Sequence, residues 1–212
     1  MIYLIGGPPK CGKTTLAKKL SKHLEVQWIS ADTLQSIAFA YTVKKDVPKK
    51  FPWRVARKKA GRGNDLAFSA YSSAQIVRKY RSQAKATWPA IDMVAASEIN
   101  DRNDYIIEGY QVEPRLADKL TKKYGKKNIR TIFLIRTDKQ TLLKDIKKST
   151  TLNDWIKSRT KNEETFGKIA EMISRYGLEI GRETKKYKIP ALNMDKNFEG
   201  QIREVIKFLK QN

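Results

Sequence analysis

The sequence predicts an α/β fold in which a five-stranded parallel sheet lies between two layers of helices. Five short apolar runs alternate with segments of helical periodicity, a pattern typical of parallel strands that are buried on both faces. The first strand, a glycine-rich loop, a helix and the second strand occupy about 30 residues, the length of one βαβ unit. The chain of 212 residues is expected to form one domain.

The strands and helices of this core can be placed in chain order. The first two strands are predicted at Ile2–Ile5 and Val26–Ser30. Between them Leu16, Leu20 and Leu24 recur every four residues, which indicates one apolar stripe on a helix. The later strands are predicted at Tyr105–Tyr110, Ile129–Ile135 and Ile189–Met194, and closing helices at Asp138–Lys148 and Phe198–Lys210.

The loop after the first strand carries the strongest motif of the chain. Gly7, Gly12, Lys13 and Thr14 occupy every fixed position of the pattern G-x-x-x-x-G-K-S/T, between a strand and a helix as the pattern requires. Glycines let backbone N–H groups converge on a polyphosphate, Lys13 can reach its outer phosphates, and the Thr14 hydroxyl can bind Mg²⁺. The predicted ligands are ATP and Mg²⁺, with nucleotide contacts from Gly7, Pro8, Pro9, Lys10, Cys11, Gly12, Lys13, Thr14 and Thr15.

A long insertion separates the second strand from the third. Residues 33–103 are too many for an ordinary crossover, and helical spacing of apolar residues predicts that they are mostly helical. Their basic part, Lys44–Arg62, contains Phe51 and Trp53 among its cations. This composition fits either a mobile, solvated loop or a surface that binds an anion. Its place after Asp32 puts it beside the expected substrate cleft.

A second insertion follows the fourth strand. The polar residues 149–161 are predicted to form a lid that carries Arg159, and Glu163–Lys186 is predicted to be a long helix. The expected domain then has a core of residues 1–32, 104–148 and 187–212, a substrate-side insertion of residues 33–103, and a lid with its following helix at residues 149–186.

Two carboxylates follow strands that end beside the phosphate loop. Asp32 comes after the second strand, and Glu108 lies at the end of the third. Because parallel strands direct their carboxyl ends into one crevice, both side chains are expected near the γ-phosphate. Asp32 could position the acceptor hydroxyl, accept its proton or bind Mg²⁺, and Glu108 could hold Mg²⁺ directly or through water. The alternative role for Asp32 is a helix N-cap.

The composition limits the classes of protein that fit. The net charge of +22 predicts attraction to nucleic acid or to small phosphorylated substrates. The alternative explanation is a proteome in which lysine is common. No apolar run approaches the ~18 residues of a membrane span, and no basic-then-apolar leader opens the chain, so a cytoplasmic location is expected. The single cysteine, Cys11, excludes an internal disulfide. A helix N-terminus tends to lower a thiol pKa, but we interpret Cys11 as loop filler.

These residues resemble the small P-loop kinases of the adenylate-kinase-like superfamily, which phosphorylate nucleotides, nucleosides and small metabolites. The resemblance extends over nearly the whole chain and is strongest in the phosphate loop. In those kinases the acid after the second strand contacts the acceptor, and Asp32 matches that position. Glu108-Gly109-Tyr110 resembles their acid-glycine-aromatic step after the third strand. The resemblance implies the three-layer P-loop NTPase fold.

The same resemblance implies roles for several arginines. Lid arginines of these kinases close over the phosphates, which implies a catalytic role for Arg159. Pro114-Arg115 resembles a proline–arginine pair of the nucleotide kinases, which implies a substrate contact for Arg115. The basic insertion corresponds to the region that holds the acceptor in such kinases, and its candidate substrate-binding residues are Arg54 and Arg57.

The predicted activity is transfer of the γ-phosphoryl group of ATP to a hydroxyl or phosphate of a small, anionic molecule. The alternative is a 5′-hydroxyl polynucleotide kinase or another nucleic-acid-associated P-loop ATPase, favoured by the charge and by Phe51 and Trp53 in the basic stretch. A switch GTPase or a motor ATPase fits less well. Asn193–Lys196 does not match the guanine-reading Asn-Lys-x-Asp segment, and Glu108 precedes a glycine rather than a second acid.

Overall fold

A five-stranded parallel sheet with the strand order β2-β3-β1-β4-β5 forms the centre of the molecule. The computed structural model describes residues 1–150 and 154–210, so residues 151–153 of the predicted lid lie outside the described residues. The predicted parallel α/β fold is confirmed, and strand ends differ from the predictions by at most two residues. The strands are β1 (Ile2–Gly6), β2 (Gln27–Ser30), β3 (Tyr105–Glu108), β4 (Ile129–Ile135) and β5 (Ala191–Asn193).

Helices cover both faces of this sheet. None of those in the described ranges is both long enough and apolar enough to cross a bilayer. The α-helices within residues 1–150 and 154–210 are α1 (Lys13–Leu24), α2 (Ala31–Ala40), α3 (Val47–Lys50), α4 (Pro52–Lys59), α5 (Asn64–Ser69), α6 (Ser73–Asn100), α7 (Pro114–Tyr124), α8 (Lys139–Lys148), α9 (Glu163–Tyr187) and α10 (Phe198–Lys210).

Alternate side chains of β1 divide the interior into two apolar layers. Ile2 and Leu4 belong to the larger cluster, which includes buried residues of α6, α7, α8 and α9. Tyr3 and Ile5 belong to the smaller cluster with buried residues of α1 and α10. Because successive residues of a strand point to opposite faces, one continuous apolar strand can build both cores.

The basic stretch of the insertion forms short helices, so its interpretation as a mobile loop is wrong. Phe51 and Trp53 have exposed fractions of 0% and 2%. The Trp53 ring packs edge-on against Phe68 with centroids 5.5 Å apart, and it also contacts Tyr80. The two aromatics that favoured a nucleic-acid substrate therefore belong to the core and cannot stack on bases.

The long helix α6 fixes the insertion to the core. It begins with a capping box, in which Gln75 N donates to Ser72 Oγ and Ser72 N donates to Gln75 Oε1. Farther along, Arg81 Nε donates to Glu113 Oε1 at 2.8 Å, while its Nη2 lies 2.6 Å from Glu183 of α9. These contacts hold the insertion in a set position relative to α9 and to the segment that follows β3.

Candidate active site

The phosphate loop joins the central strand β1 to the N-terminus of α1, and its shape requires glycine at two positions. Gly7 has φ +131°, and a Cβ there would lie 1.9 Å from the carbonyl oxygen of Leu134. Gly12 has φ +88°, and a Cβ there would lie 2.4 Å from the Phe198 ring. Gly12 is also the N-cap of α1, and no side chain caps that helix. The first N–H groups of α1 are therefore available to an anion.

Lys13 and Thr14 begin α1 and turn toward the carboxyl edge of the sheet. The Lys13 ammonium folds back over the loop and donates to the carbonyl of Pro8 at 2.6 Å. The Thr14 hydroxyl donates to Glu108 Oε1 at 3.0 Å. Glu108 is in register with Ile5 of β1 and Ser30 of β2, so it lies between the two neighbouring strand ends. The structure thus brings Lys13, Thr14 and Glu108 together.

The carboxylates of Glu108 and Asp32 are close enough to interact electrostatically. Burial raises the pKa of Glu108, and the negative charge of Asp32 raises it further. The Lys13 ammonium and the hydrogen bond from Thr14 act in the opposite direction. Both carboxylates therefore lie within each other's electrostatic range beside the phosphate loop.

The oxygen atoms at this edge fit a magnesium ion. The 3.0 Å separation of Thr14 Oγ1 and Glu108 Oε1 matches neighbouring oxygens of an octahedral Mg²⁺ shell, which are roughly 3 Å apart. Protein sites usually supply Mg²⁺ with one or two carboxylates and leave the remaining positions to phosphates and water. No cluster of three or more His, Cys, Asp or Glu side chains in the described ranges could hold a metal alone. A Mg²⁺ here would therefore be held together with the nucleotide.

Asp32 lies in the first turn of α2 and is not its N-cap. Ser30 is the cap, because its hydroxyl accepts a hydrogen bond from the Asp32 amide at 3.3 Å. The N-cap alternative for Asp32 is therefore wrong. Its exposed carboxylate instead accepts a 2.7 Å bond from Gln111 Nε2, and Gln111 itself is fully buried. The buried Gln111 side chain thus fixes the orientation of the exposed Asp32 carboxylate.

A buried polar network extends from Gln111 into the insertion. Gln111 Nε2 also lies 3.2 Å from Gln35 Oε1, which accepts a 2.5 Å bond from the Tyr110 hydroxyl. Gln83 of α6 donates to that hydroxyl at 2.6 Å and accepts from the Arg54 amide at 3.2 Å. Sequence reasoning missed these glutamines. The sequence feature that could have identified them is a polar residue within an otherwise apolar segment, such as Gln111 between Tyr110 and Val112.

A cavity of about 340 Å³ adjoins the phosphate loop. The loop, the end of β4, the end of α8 and the start of α10 line it. Arg136 is held there between Asp145 at 2.6 Å and Asp195 at 3.2 Å, and Phe198 forms another wall. Arg136 and Phe198 were not predicted, because neither belongs to a local motif.

Cys11 lies inside the loop but away from its ligand-facing side. It is fully buried, and burial raises the pKa of its thiol to about 12. The tendency of a helix N-terminus to lower a thiol pKa is therefore overridden here by desolvation. Cys11 fills space in the core beneath the loop, in agreement with its interpretation as filler.

The predicted arginines occupy different surroundings. The Arg57 guanidinium is half-buried, with its Cζ 5.5 Å from the centre of the Trp155 ring. Burial lowers the pKa of Arg57, and the nearby positive charge of Arg159 lowers it further. Arg54 is exposed and lies 3.8 Å above the Phe39 ring. Arg115 is exposed on α7, and no hydrogen bond or ion pair within the described ranges joins it to the phosphate loop or Asp32.

Residues 154–161, here named the lid segment, are docked on the insertion. Ile156 is fully buried, although the polar composition of this region suggested that little would hold it in place. Asn64 Nδ2 at the start of α5 donates to Trp155 O at 3.1 Å and to Thr160 Oγ1 at 2.9 Å. This anchoring brings Arg159 toward Arg57. A lid function for the segment stays a prediction.

Comparison with known proteins supports the fold. No protein-family model and no curated protein matches this chain. A gluconokinase from Sinorhizobium meliloti 1021 superposes with a TM-score of 0.54 at 12% identity, over 98% of this chain and 90% of that chain. A shikimate kinase from Bacteroides thetaiotaomicron superposes with a TM-score of 0.52 at 16% identity, over 99% and 96%. The chain shares its fold with these kinases.

Proposed function

We propose that this protein is an ATP-dependent kinase that transfers the γ-phosphoryl group to a hydroxyl or phosphate of a small molecule. The observation that carries the proposal is the convergence of Lys13, Thr14, Glu108 and Asp32 at one edge of the sheet. The fold shared with a gluconokinase and a shikimate kinase supports it. The order of phosphate loop, strand-two acid and strand-three acid also supports the resemblance to adenylate-kinase-like enzymes.

Each group has a defined role in this proposal. Mg²⁺, held by Thr14 and Glu108 with Asp32 beside them, would neutralise charge on the outer phosphates. Lys13 would exchange its bond to Pro8 O for a phosphate oxygen. Asp32, oriented by Gln111, would hold an acceptor hydroxyl in line with the γ-phosphorus and take its proton. The acceptor O–P bond forms as the bond to the ADP oxygen breaks.

The arginines beside the lid segment support an anionic acceptor. Arg57 and Arg159 lie close enough for their charges to oppose each other. Within the described residues, Arg57 Nε is buried without a hydrogen-bond partner and the Arg159 side chain has no ion pair. An anionic group of the acceptor between the two guanidinium groups would offset the repulsion between their charges and supply both with a hydrogen-bond acceptor. Arg159 would also be placed to contact the moving phosphoryl group, as the predicted lid arginine.

Replacement of Arg57 tests this acceptor site. We expect Arg57→Met to raise KM for the acceptor roughly 10- to 100-fold with a smaller change in kcat, because one charge-assisted hydrogen bond is worth about 1.5–3 kcal/mol. Lys58→Met removes the same charge from an exposed position of the same helix and serves as the control. Equal KM values for the two variants would show that Arg57 does not bind the acceptor.

A phosphoryl-acceptor screen tests the function itself. Labelled ATP would be offered with nucleosides, nucleotides, sugars, phosphorylated metabolites and 5′-hydroxyl oligonucleotides at equal ionic strength. We expect a small anionic compound to be the best acceptor. An oligonucleotide preferred by orders of magnitude would instead favour the polynucleotide kinase, which the net charge of +22 keeps as the second candidate. Absence of transfer to every class, with ATP bound, would contradict a kinase.

A further inference from the structure

Lys10 of the phosphate loop is paired with a buried acid of the lid segment. Its Nζ lies 2.6 Å from Asp154 Oδ2, and Asp154 has an exposed fraction of only 6%. The same carboxylate accepts a 2.7 Å bond from the Ser149 hydroxyl and a 3.0 Å bond from the Ile156 amide. This ion pair joins two segments that are 144 residues apart in the chain.

The Asp154 carboxyl group is charged at neutral pH. Burial by itself would raise the pKa of Asp154, but hydrogen bonds from Lys10, Ser149 and the Ile156 amide lower it overall. A carboxylate with these three donors has no remaining need of a fourth partner. Asp154 is thus well suited to hold the Lys10 ammonium in place.

Lys10 has an uncommon backbone conformation. Its φ is +61°, in the left-handed region that is unfavourable for residues other than glycine. Its side chain runs along the wall of the cavity that Lys13, Thr14 and Thr15 also line. Lys10 therefore borders the cavity beside the phosphate loop, and its ammonium is paired with an anionic partner.

We propose that Lys10 couples phosphate binding to the lid segment by exchanging Asp154 for a phosphate of the nucleotide. This inference rests on the proposed function as an ATP-dependent kinase. Without nucleotide, Asp154 neutralises Lys10 and keeps the lid segment attached to the phosphate loop. When a polyphosphate binds, its negative charge competes for Lys10 and repels the Asp154 carboxylate. Release of Asp154 breaks the ion pair between the phosphate loop and the lid segment, whose contacts with Asn64 remain, so the attachment of the segment that carries Arg159 depends on phosphate binding.

Competition between Asp154 and the phosphates for Lys10 predicts that substitutions of Asp154 and Lys10 change the affinity for nucleotide in opposite directions. Asp154→Asn removes the competing charge and keeps one oxygen, which can still accept the bond from the Ile156 amide, so we expect at least fivefold tighter binding of a non-hydrolysable ATP analogue with Mg²⁺. Lys10→Met removes the cation that the phosphates gain, so we expect at least fivefold weaker binding. A pair that only supports the fold would weaken binding in both variants.

Controls separate this effect from changes of net charge or stability. Lys122→Met and Asp118→Asn make the same two charge changes in an ion pair of α7, and both are expected to bind the analogue within twofold of the wild type. Thermal unfolding of each variant verifies folding, and Asp154→Ser replaces Asp154→Asn if the amide is not accommodated.

Calorimetry with the analogue decides the outcome. Tighter binding by the Asp154 variant together with weaker binding by Lys10→Met supports the coupling. Weaker binding by both, or no change in either, overturns it while the proposed kinase activity remains. If the wild type and Lys13→Ala fail equally to bind the analogue, the proposed function fails, and the coupling fails with it.

Discussion

Lys13→Ala is expected to lower phosphoryl transfer by roughly 10²-fold or more. Lys13 begins α1 with only 8% of its surface exposed, and its ammonium is held over the phosphate loop by Pro8 O. In the proposed reaction this ammonium moves to the phosphates and stabilises charge on the migrating group. Alanine cannot replace that charge, and the loop N–H groups that remain would account for residual binding.

The fold should survive this substitution. The lost bond to Pro8 O is worth about 1–3 kcal/mol, less than the 5–15 kcal/mol that stabilises a typical domain. Transfer from labelled ATP would be measured beside thermal unfolding, with Lys19→Ala on the exposed face of α1 as the control. Turnover at the wild-type rate in a folded Lys13→Ala protein would remove the phosphate loop from the mechanism.

Asp32→Asn is expected to reduce turnover roughly 10²- to 10⁴-fold with little change in ATP affinity. Asparagine has nearly the same shape, and its oxygen can still accept the bond from Gln111 Nε2. It cannot take a proton from an acceptor hydroxyl. The effect should therefore appear in the chemical step. Loss of the charge from the first turn of α2 should destabilise the protein by at most about 1 kcal/mol.

The measurement separates three roles of Asp32. Kinetics of transfer and calorimetry with an ATP analogue would be compared with those of Asp101→Asn, an exposed substitution at the end of α6. Loss of nucleotide binding together with turnover would identify Asp32 as mainly a metal ligand. Unchanged turnover and binding would rule out both catalytic roles and leave only a contribution to the helix.

Sequence patterns were most informative where local chemistry decides the structure. β4 and α10 have the bounds that their apolar periodicity predicts, Ile129–Ile135 and Phe198–Lys210. The phosphate loop was also recognisable, because only glycine tolerates the conformations of Gly7 and Gly12 and the contacts beside them. A sequence that matches every fixed position of this motif has few other structural interpretations.

The basic stretch shows where local patterns are insufficient. Phe51 and Trp53 among lysines and arginines resemble an exposed binding surface, but their rings are buried against partners that come from other helices. A four-residue helix followed by an eight-residue helix offers too few turns for a clear apolar period. Burial there is decided by packing against Phe39, Phe68 and Tyr80.

The sequence by itself determined the parallel sheet, the phosphate loop and the two acids at the strand ends, because each depends on residues close together in the chain. Only the tertiary structure decided which polar groups meet. Gln111 orients Asp32 from 79 residues away, and Asp154 pairs with Lys10 across 144 residues. Such contacts depend on how segments that are distant in the chain pack against each other in the folded protein. Nothing in a local pattern of charge or periodicity specifies that packing.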